Sequence, residues 1–262
     1  MRFQVNGETV FASTGSGKAP IDMQPDIPAV LFIHGAGMDH SVWVMPARYF
    51  ARQGYRVLAP DLPAHGRSGG RALESIEAMA NWLAAVLDAQ AIDMAAIVGH
   101  SMGSLVAYNF TCLFPGRTRS LALLGTSAPM PVSDMLLTAA KDNHRAAIDM
   151  ANTWSHSTGG RMGANQNPGM WMLGGGERLL EKAGTDVFFT DLKACNEFVA
   201  MEGVSCPTMV IVGEADQMTP ARAGVSVAQS LPRAELVTLA DCGHSMLSER
   251  PNAVLDALIR IV

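Results

Sequence analysis

Six compact apolar runs constrain this chain more than any other feature: Ala29 to Ile33, Arg56 to Ala59, Met94 to Val98, Ser120 to Leu124, Thr208 to Val212 and Leu236 to Leu239. Each is short and lacks polar alternation, the pattern of a strand buried on both faces. Helix-like segments stand at 42 to 53, 74 to 90, 102 to 114 and 221 to 230, and a closing one follows Pro251 over 252 to 261. Strands that alternate with helices imply right-handed crossovers, hence an α/β fold with a mostly parallel sheet covered by helices on both faces. Upstream, Arg2 to Val5 and Glu8 to Ser13 flank Asn6-Gly7, a dipeptide that tolerates positive φ, so the chain opens with an antiparallel ribbon.

One gap breaks this rhythm. Gly125 to Pro207 is far too long for a crossover loop and carries helix-like stretches of its own near 133 to 151 and 177 to 201. We expect a core made of residues 1 to 128 and 205 to 262, with a helical cap inserted over 129 to 204. Within the insertion, Ser155 to Gly176 is rich in Gly, Asn and Met, including Gly159-Gly160 and Gly174-Gly175-Gly176, and reads as irregular structure.

A net charge of −5 gives no general attraction to phosphate backbones or anionic lipid, so neither nucleic acid nor a membrane is expected as a partner. The start lacks a basic segment followed by an apolar run, and no later stretch approaches the length of a membrane span, which makes the cytoplasm the expected location. Cys112, Cys195, Cys206 and Cys242 show neither CxxC nor Cys/His metal spacing and read as reduced structural thiols, with no metal site. Oligomeric state is not legible.

The chemistry points to Gly99-His100-Ser101-Met102-Gly103, a GxSxG set where a buried strand turns sharply into a helix. A serine hydroxyl is a poor nucleophile at neutral pH, so a histidine must take its proton and a carboxylate must orient that histidine. His244 follows the last apolar run and Asp216 follows the preceding one, which places both at the same sheet edge in the order Ser, Asp, His. Glu214 is the rival acid, and Asp241 could pair with His244 locally. His34 and His100 flank the site as loop-shaping residues, His40 could lie near the entrance, and His65, His144 and His156 read as surface or cap residues. The oxyanion of a tetrahedral intermediate needs backbone donors, for which Met102 and Ala36, in the loop after the first buried strand, are the candidates. Met38, Trp43 and Trp171 are candidate substrate contacts, while Arg145, Arg161 and Arg178 could recognise an acidic group or simply be solvated.

These residues resemble the α/β-hydrolase family over nearly the whole chain. Leu31-Phe32-Ile33-His34-Gly35-Ala36-Gly37 resembles its oxyanion loop, and Asp61-Leu62-Pro63-Ala64-His65-Gly66-Arg67-Ser68 resembles its DLPGHGRS loop, with Ala64 in place of a usual glycine. The resemblance implies about eight strands and a helical cap after the sixth. It implies a carboxylic ester hydrolase that forms an acyl-enzyme on Ser101, with a small-molecule ester as substrate and no metal or organic cofactor. Thioesterases, acyltransferases and carbon-carbon bond hydrolases share the pattern. The last group loses weight because Gly37-Met38-Asp39 and His100 replace its Gly-Pro-Gly loop and the Asn before its nucleophile. Dehalogenases and epoxide hydrolases place aspartate where Ser101 stands. A small-molecule-binding signalling protein on the same scaffold is the alternative of another class.

Overall fold

All six apolar runs are strands in the computed structural model, which describes residues 1–15, 27–142, 145–164, 171–183 and 186–262. The sheet has eight strands: β1 (Arg2–Val5), β2 (Glu8–Ser13), β3 (Ala29–Ile33), β4 (Arg56–Pro60), β5 (Ala95–His100), β6 (Thr118–Leu124), β7 (Thr208–Gly213) and β8 (Ala234–Leu239). Their spatial order is β1-β2-β4-β3-β5-β6-β7-β8. The first two strands pair antiparallel through the Asn6-Gly7 turn, whose φ values are 51° and 84°, and β2 also runs antiparallel to β4. Every later pair is parallel.

Core helices are α1 (Val44–Arg52), α2 (Ile76–Ala89) and α3 (Met102–Leu113). Among the described residues, five more lie between β6 and β7 in sequence: α4 (Asp134–Lys141), α5 (Arg145–Ser155), α6 (Thr158–Arg161), α7 (Met172–Glu181) and α8 (Val187–Asn196). The chain ends with α9 (Ala221–Ser230), α10 (Met246–Glu249) and α11 (Pro251–Ile261). The apolar runs are unbroken because alternate residues of one strand feed two different cores. On β3, Leu31 and Ile33 pack with Leu83, Leu105 and Phe110 of α2 and α3, whereas Val30 and Phe32 pack with Ala47, Phe50, Val254 and Leu258 of α1 and α11. Burial on both faces is lost only at the edge: on β8, Leu236 is exposed, so the expectation of a fully buried run fails there.

The segment between β6 and β7 departs from its sequence reading at both glycine runs, since Gly159-Gly160 lies inside the short helix α6. Gly174-Gly175-Gly176 lies inside α7 rather than in irregular structure, and Gly174 and Gly176 are small for a packing reason. A Cβ on Gly174 would meet the Trp171 ring at 2.1 Å, and one on Gly176 would meet Asn152 Oδ1 at 2.4 Å. Helices α4, α5, α7 and α8 share a small apolar core of their own, including Leu136, Ala147, Leu180 and Leu192. Among the described residues, no helix is long and apolar enough to cross a membrane, and all four cysteines are free.

Candidate active site

The strand-to-helix turn between β5 and α3 forces Ser101 into a backbone conformation, φ 57° and ψ −124°, that costs a non-glycine residue roughly 1–3 kcal/mol. Its surroundings hold it there: Ser101 N–H donates to Leu124 O at 2.9 Å, and Ser104 donates to Ser101 O through both its N–H and its hydroxyl. The flanking glycines are required by space. A Cβ on Gly99 would lie 2.0 Å from Gly103 O, and one on Gly103 would lie 2.2 Å from Ile33 O.

His244 sits in the loop after β8, which is pinned at three points. Gly243 N–H donates to Glu249 Oε1 at 3.1 Å, Ser245 N–H donates to Ser155 O at 2.7 Å, and His100 Nε2 donates to His244 O at 2.8 Å. His244 Nδ1 lies 2.8 Å from Asp216 Oδ2, which also accepts the Thr219 hydroxyl at 2.8 Å. Asp216 Oδ1 accepts the Met218 and Thr219 N–H groups, each at 2.8 Å. Burial alone would raise the Asp216 carboxyl, but the His244 imidazole and the Thr219 hydrogen bonds outweigh it and hold the group below its usual range. An ionised Asp216 places the His244 proton on Nδ1 and leaves Nε2 with a lone pair. That Nε2 is buried with no hydrogen-bond partner among the described residues, and His244 and Ser101 line the same cavity. Contacts of this kind commonly close only when substrate fills the site. Glu214 and Asp241, the rival acids, are both exposed.

The loop after β3 is laced to its neighbours through buried histidines. His34 Nε2 accepts Leu62 N–H at 3.0 Å while Nδ1 donates to Gly35 O at 2.9 Å, a pattern that needs a neutral ring. Burial, with a smaller push from His65, lowers the His34 pKa to about 4; burial, then His244, lowers that of His100 to about 3. In the same loop Gly37 N–H is committed to Asp191 Oδ2 at 2.8 Å and Met38 N–H to Gly35 O at 3.2 Å. Neither Ala36 N–H nor the Met102 N–H at the first turn of α3 has an intramolecular acceptor among the described residues, which leaves both able to serve a ligand oxygen.

The cavity holds about 380 Å³. Ala36, Met38, Ser101 and His244 line it from the core, and Met130, Leu136, Trp154, Leu180, Phe188 and Leu192 line it from the 129 to 204 segment. Two sequence candidates for substrate contact lie elsewhere. Trp43 is fully buried against Phe32, with ring centroids 5.0 Å apart, because the short helical turn before α1 directs it into the core. Trp171 is exposed and lines a neighbouring cavity of about 210 Å³ with Met38 and His100. Arg145 is neutralised by Asp149, Glu177 and Glu181, and neither Arg161 nor Arg178 lines either cavity. Arg222 of α9 is the arginine that does line the larger cavity, and spacing alone did not single it out.

Of the remaining histidines, His65 departs from its expected place at the surface or in the cap segment, while His156 lies in that segment. His65 is buried, with Nε2 2.8 Å from Asp191 Oδ2; His156 is buried, with Nδ1 donating to Asn152 O; His40 is bound to Asp61 at 2.7 Å. His144 falls outside the described residues. Asp39, His40 and Asp61 bring ligand-type atoms within 4.8 Å of one another, but Asp39 caps Ser41 and Asp61 accepts from His40 and Arg67, so these groups already serve the loops. Ala64, where the resemblance expected glycine, has φ 67°, which explains that expectation. Thr219 was missed, although its place three residues after Asp216 is a turn spacing the sequence displays. Asp191 had no local signal, since its partners lie 154 and 126 residues away.

A model of the Alpha/beta hydrolase family matches residues 30–257. Over 232 residues the chain is 26% identical to a 2-hydroxy-6-oxo-6-phenylhexa-2,4-dienoate hydrolase of Burkholderia cepacia, covering 82% of this chain and 81% of that one. It is 27% identical over 236 residues to a pimeloyl-[acyl-carrier protein] methyl ester esterase of Nitrosomonas europaea, covering 83% and 89%. An enol-lactonase from Burkholderia xenovorans superposes with a TM-score of 0.84 at 20% identity, covering 99% and 98%, a likeness of fold.

Proposed function

Since the chain belongs to the alpha/beta hydrolase family and is a hydrolase, we propose that it cleaves small or medium-sized hydrophobic carboxylic esters through an acyl-enzyme on Ser101. The observation that carries this reading is the His244 ring, which lines the same cavity as Ser101, is fixed by Asp216 on one nitrogen and has a buried Nε2 with no partner among the described residues. In the first half-reaction, Ser101 Oγ attacks the acyl carbon and gives its proton to His244 Nε2. The ester C–O bond then breaks and the alcohol leaves with that proton. In the second, water attacks the acyl carbon, His244 takes its proton, and Ser101 departs with it as the carboxylic acid is released. Ala36 and Met102 N–H groups stabilise the oxyanion in both halves. Segment 129 to 204 acts as a cap, and its Leu136, Trp154, Leu180 and Phe188 side chains favour an uncharged, apolar acyl group.

The methyl ester esterase relative supports ester cleavage, and the dienoate hydrolase relative keeps carbon-carbon cleavage as a second reading. A fluorophosphonate probe should label Ser101, and a panel of acyl esters and thioesters of graded chain length should be turned over by the wild type but not by Ser101→Ala. Folded wild-type protein that neither reacts nor turns over any member refutes the reading. Cleavage of a 2-hydroxy-6-oxodienoate with esters untouched would favour the second.

A further inference from the structure

From the contacts of Asp191 we infer that this residue, delivered by α8 of the insertion, is a positioning residue for the oxyanion loop of the core. The inference rests on the hydrolase reading for its catalytic meaning and on geometry for its substance. The Asp191 carboxylate is fully buried, and one oxygen, Oδ2, accepts from Gly37 N–H and lies 2.8 Å from His65 Nε2. His65 Nδ1 is 2.9 Å from Pro63 O, and its ring lies 4.9 Å from that of His34, which itself holds Leu62 N–H. One insertion carboxylate therefore ties the His34 to Gly37 loop to the Asp61 to Ser68 loop.

Gly37 adjoins Ala36, the proposed oxyanion donor, so the peptide that Asp191 grips follows directly on the one that must aim at the oxyanion. The seat is close on its other side too: a Cβ on Gly37 would lie 2.9 Å from the Phe188 ring and 3.0 Å from Leu180 Cδ2. Burying a carboxylate is costly unless its bonds repay it, and Asp191 Oδ1 has no hydrogen-bond partner among the described residues. Simple stabilisation would be served as well by apolar side chains in place of both partners. The imperfect pair is accounted for by its bond to Gly37.

The test uses the full chain. In the paired variant His65→Leu plus Asp191→Leu, apolar groups refill the volume and Gly37 N–H loses its acceptor. We expect kcat to fall about tenfold to 100-fold, because small misplacements of a donor weigh heavily on the chemical step. KM should stay within about threefold, and fluorophosphonate inactivation should slow in parallel. Asp191→Asn keeps an oxygen for Gly37 and should recover most of kcat. A folded double variant with wild-type kcat overturns the inference, as does an Asp191→Asn loss as deep as that of the double variant. Independently of any variant, the Gly37 amide of the wild type should exchange as slowly as β5 amides; exchange at an open-loop rate overturns the tie. Wild-type protein inert to fluorophosphonate would sink the proposed acyl-enzyme reading on Ser101 and leave this amide-exchange result standing.

Discussion

Replacing Asp216 by asparagine tests the site with the least change in shape, and the surrounding donors dictate how the new amide must sit. Oδ1 accepts two backbone N–H groups, from Met218 and Thr219, so the amide oxygen has to take that place. The NH₂ group then occupies the Oδ2 position, 2.8 Å from His244 Nδ1. A donor there forces Nδ1 to accept, which moves the imidazole proton to Nε2, the nitrogen that should receive the Ser101 proton. Turnover of a fast ester should fall about 10³- to 10⁴-fold, the scale seen when a triad histidine is locked in the wrong tautomer. That corresponds to about 4–5.5 kcal/mol of transition-state stabilisation. Folding stability should change far less, since the buried hydrogen bonds are reshuffled rather than lost. Steady-state kinetics beside urea denaturation measures both, with Glu214→Gln as the control expected to stay within about twofold because that side chain is exposed. If Asp216→Asn keeps more than a tenth of kcat, or Glu214→Gln suffers the larger loss, the assignment of the acid is wrong.

Acid should weaken the fold before the carboxylates titrate. His34 and His100 are held neutral with folded pKa values of about 4 and about 3, below the unfolded value of 6.5, so the unfolded chain binds protons first as pH falls. The two together should cost about 3 kcal/mol between pH 6.5 and 5, read as a shift in urea midpoint; a flat midpoint over that window contradicts their neutrality. His65 has the opposite sign. Burial disfavours its charge, but Asp191 outweighs that and raises its pKa, so its contribution is complete below pH 6.5 and is lost as pH rises through the folded value. Trp43→Ala should destabilise by about 3–5 kcal/mol without altering KM in the folded fraction, and a KM change alone would return Trp43 to the cavity. Gly103→Ala must displace Ile33 O or the elbow itself and should cost about 1–3 kcal/mol, together with most of the turnover. Wild-type kcat in that variant would show that the elbow tolerates a side chain.

The local chemistry of the chain determined a good deal. Short apolar runs without alternation, separated by helix-like segments, favour strands covered on both sides, and Asn6-Gly7 favours a tight turn, so the sheet and its opening ribbon were readable in the sequence, with the exposed Leu236 on the edge strand β8 as the exception. The order of Ser101, Asp216 and His244 was equally readable, because each follows a strand and strand ends in a parallel sheet share one edge. What sequence could not supply were the contacts between segments far apart in the chain. Trp43 lies close in sequence to the proposed oxyanion loop, yet the helical turn directs it into the core against Phe32. His65 reads from sequence as a surface or cap residue, and its burial against Asp191, 126 residues away, is a contact that local pattern does not carry. Glycine runs normally signal loops, but Gly174 and Gly176 are small because Trp171 and Asn152 lie against them. Strand order and motif spacing are properties of neighbours along the chain, which the sequence records directly. Which buried groups meet across the insertion depends on how α8 docks against two core loops, and only the folded chain decides that.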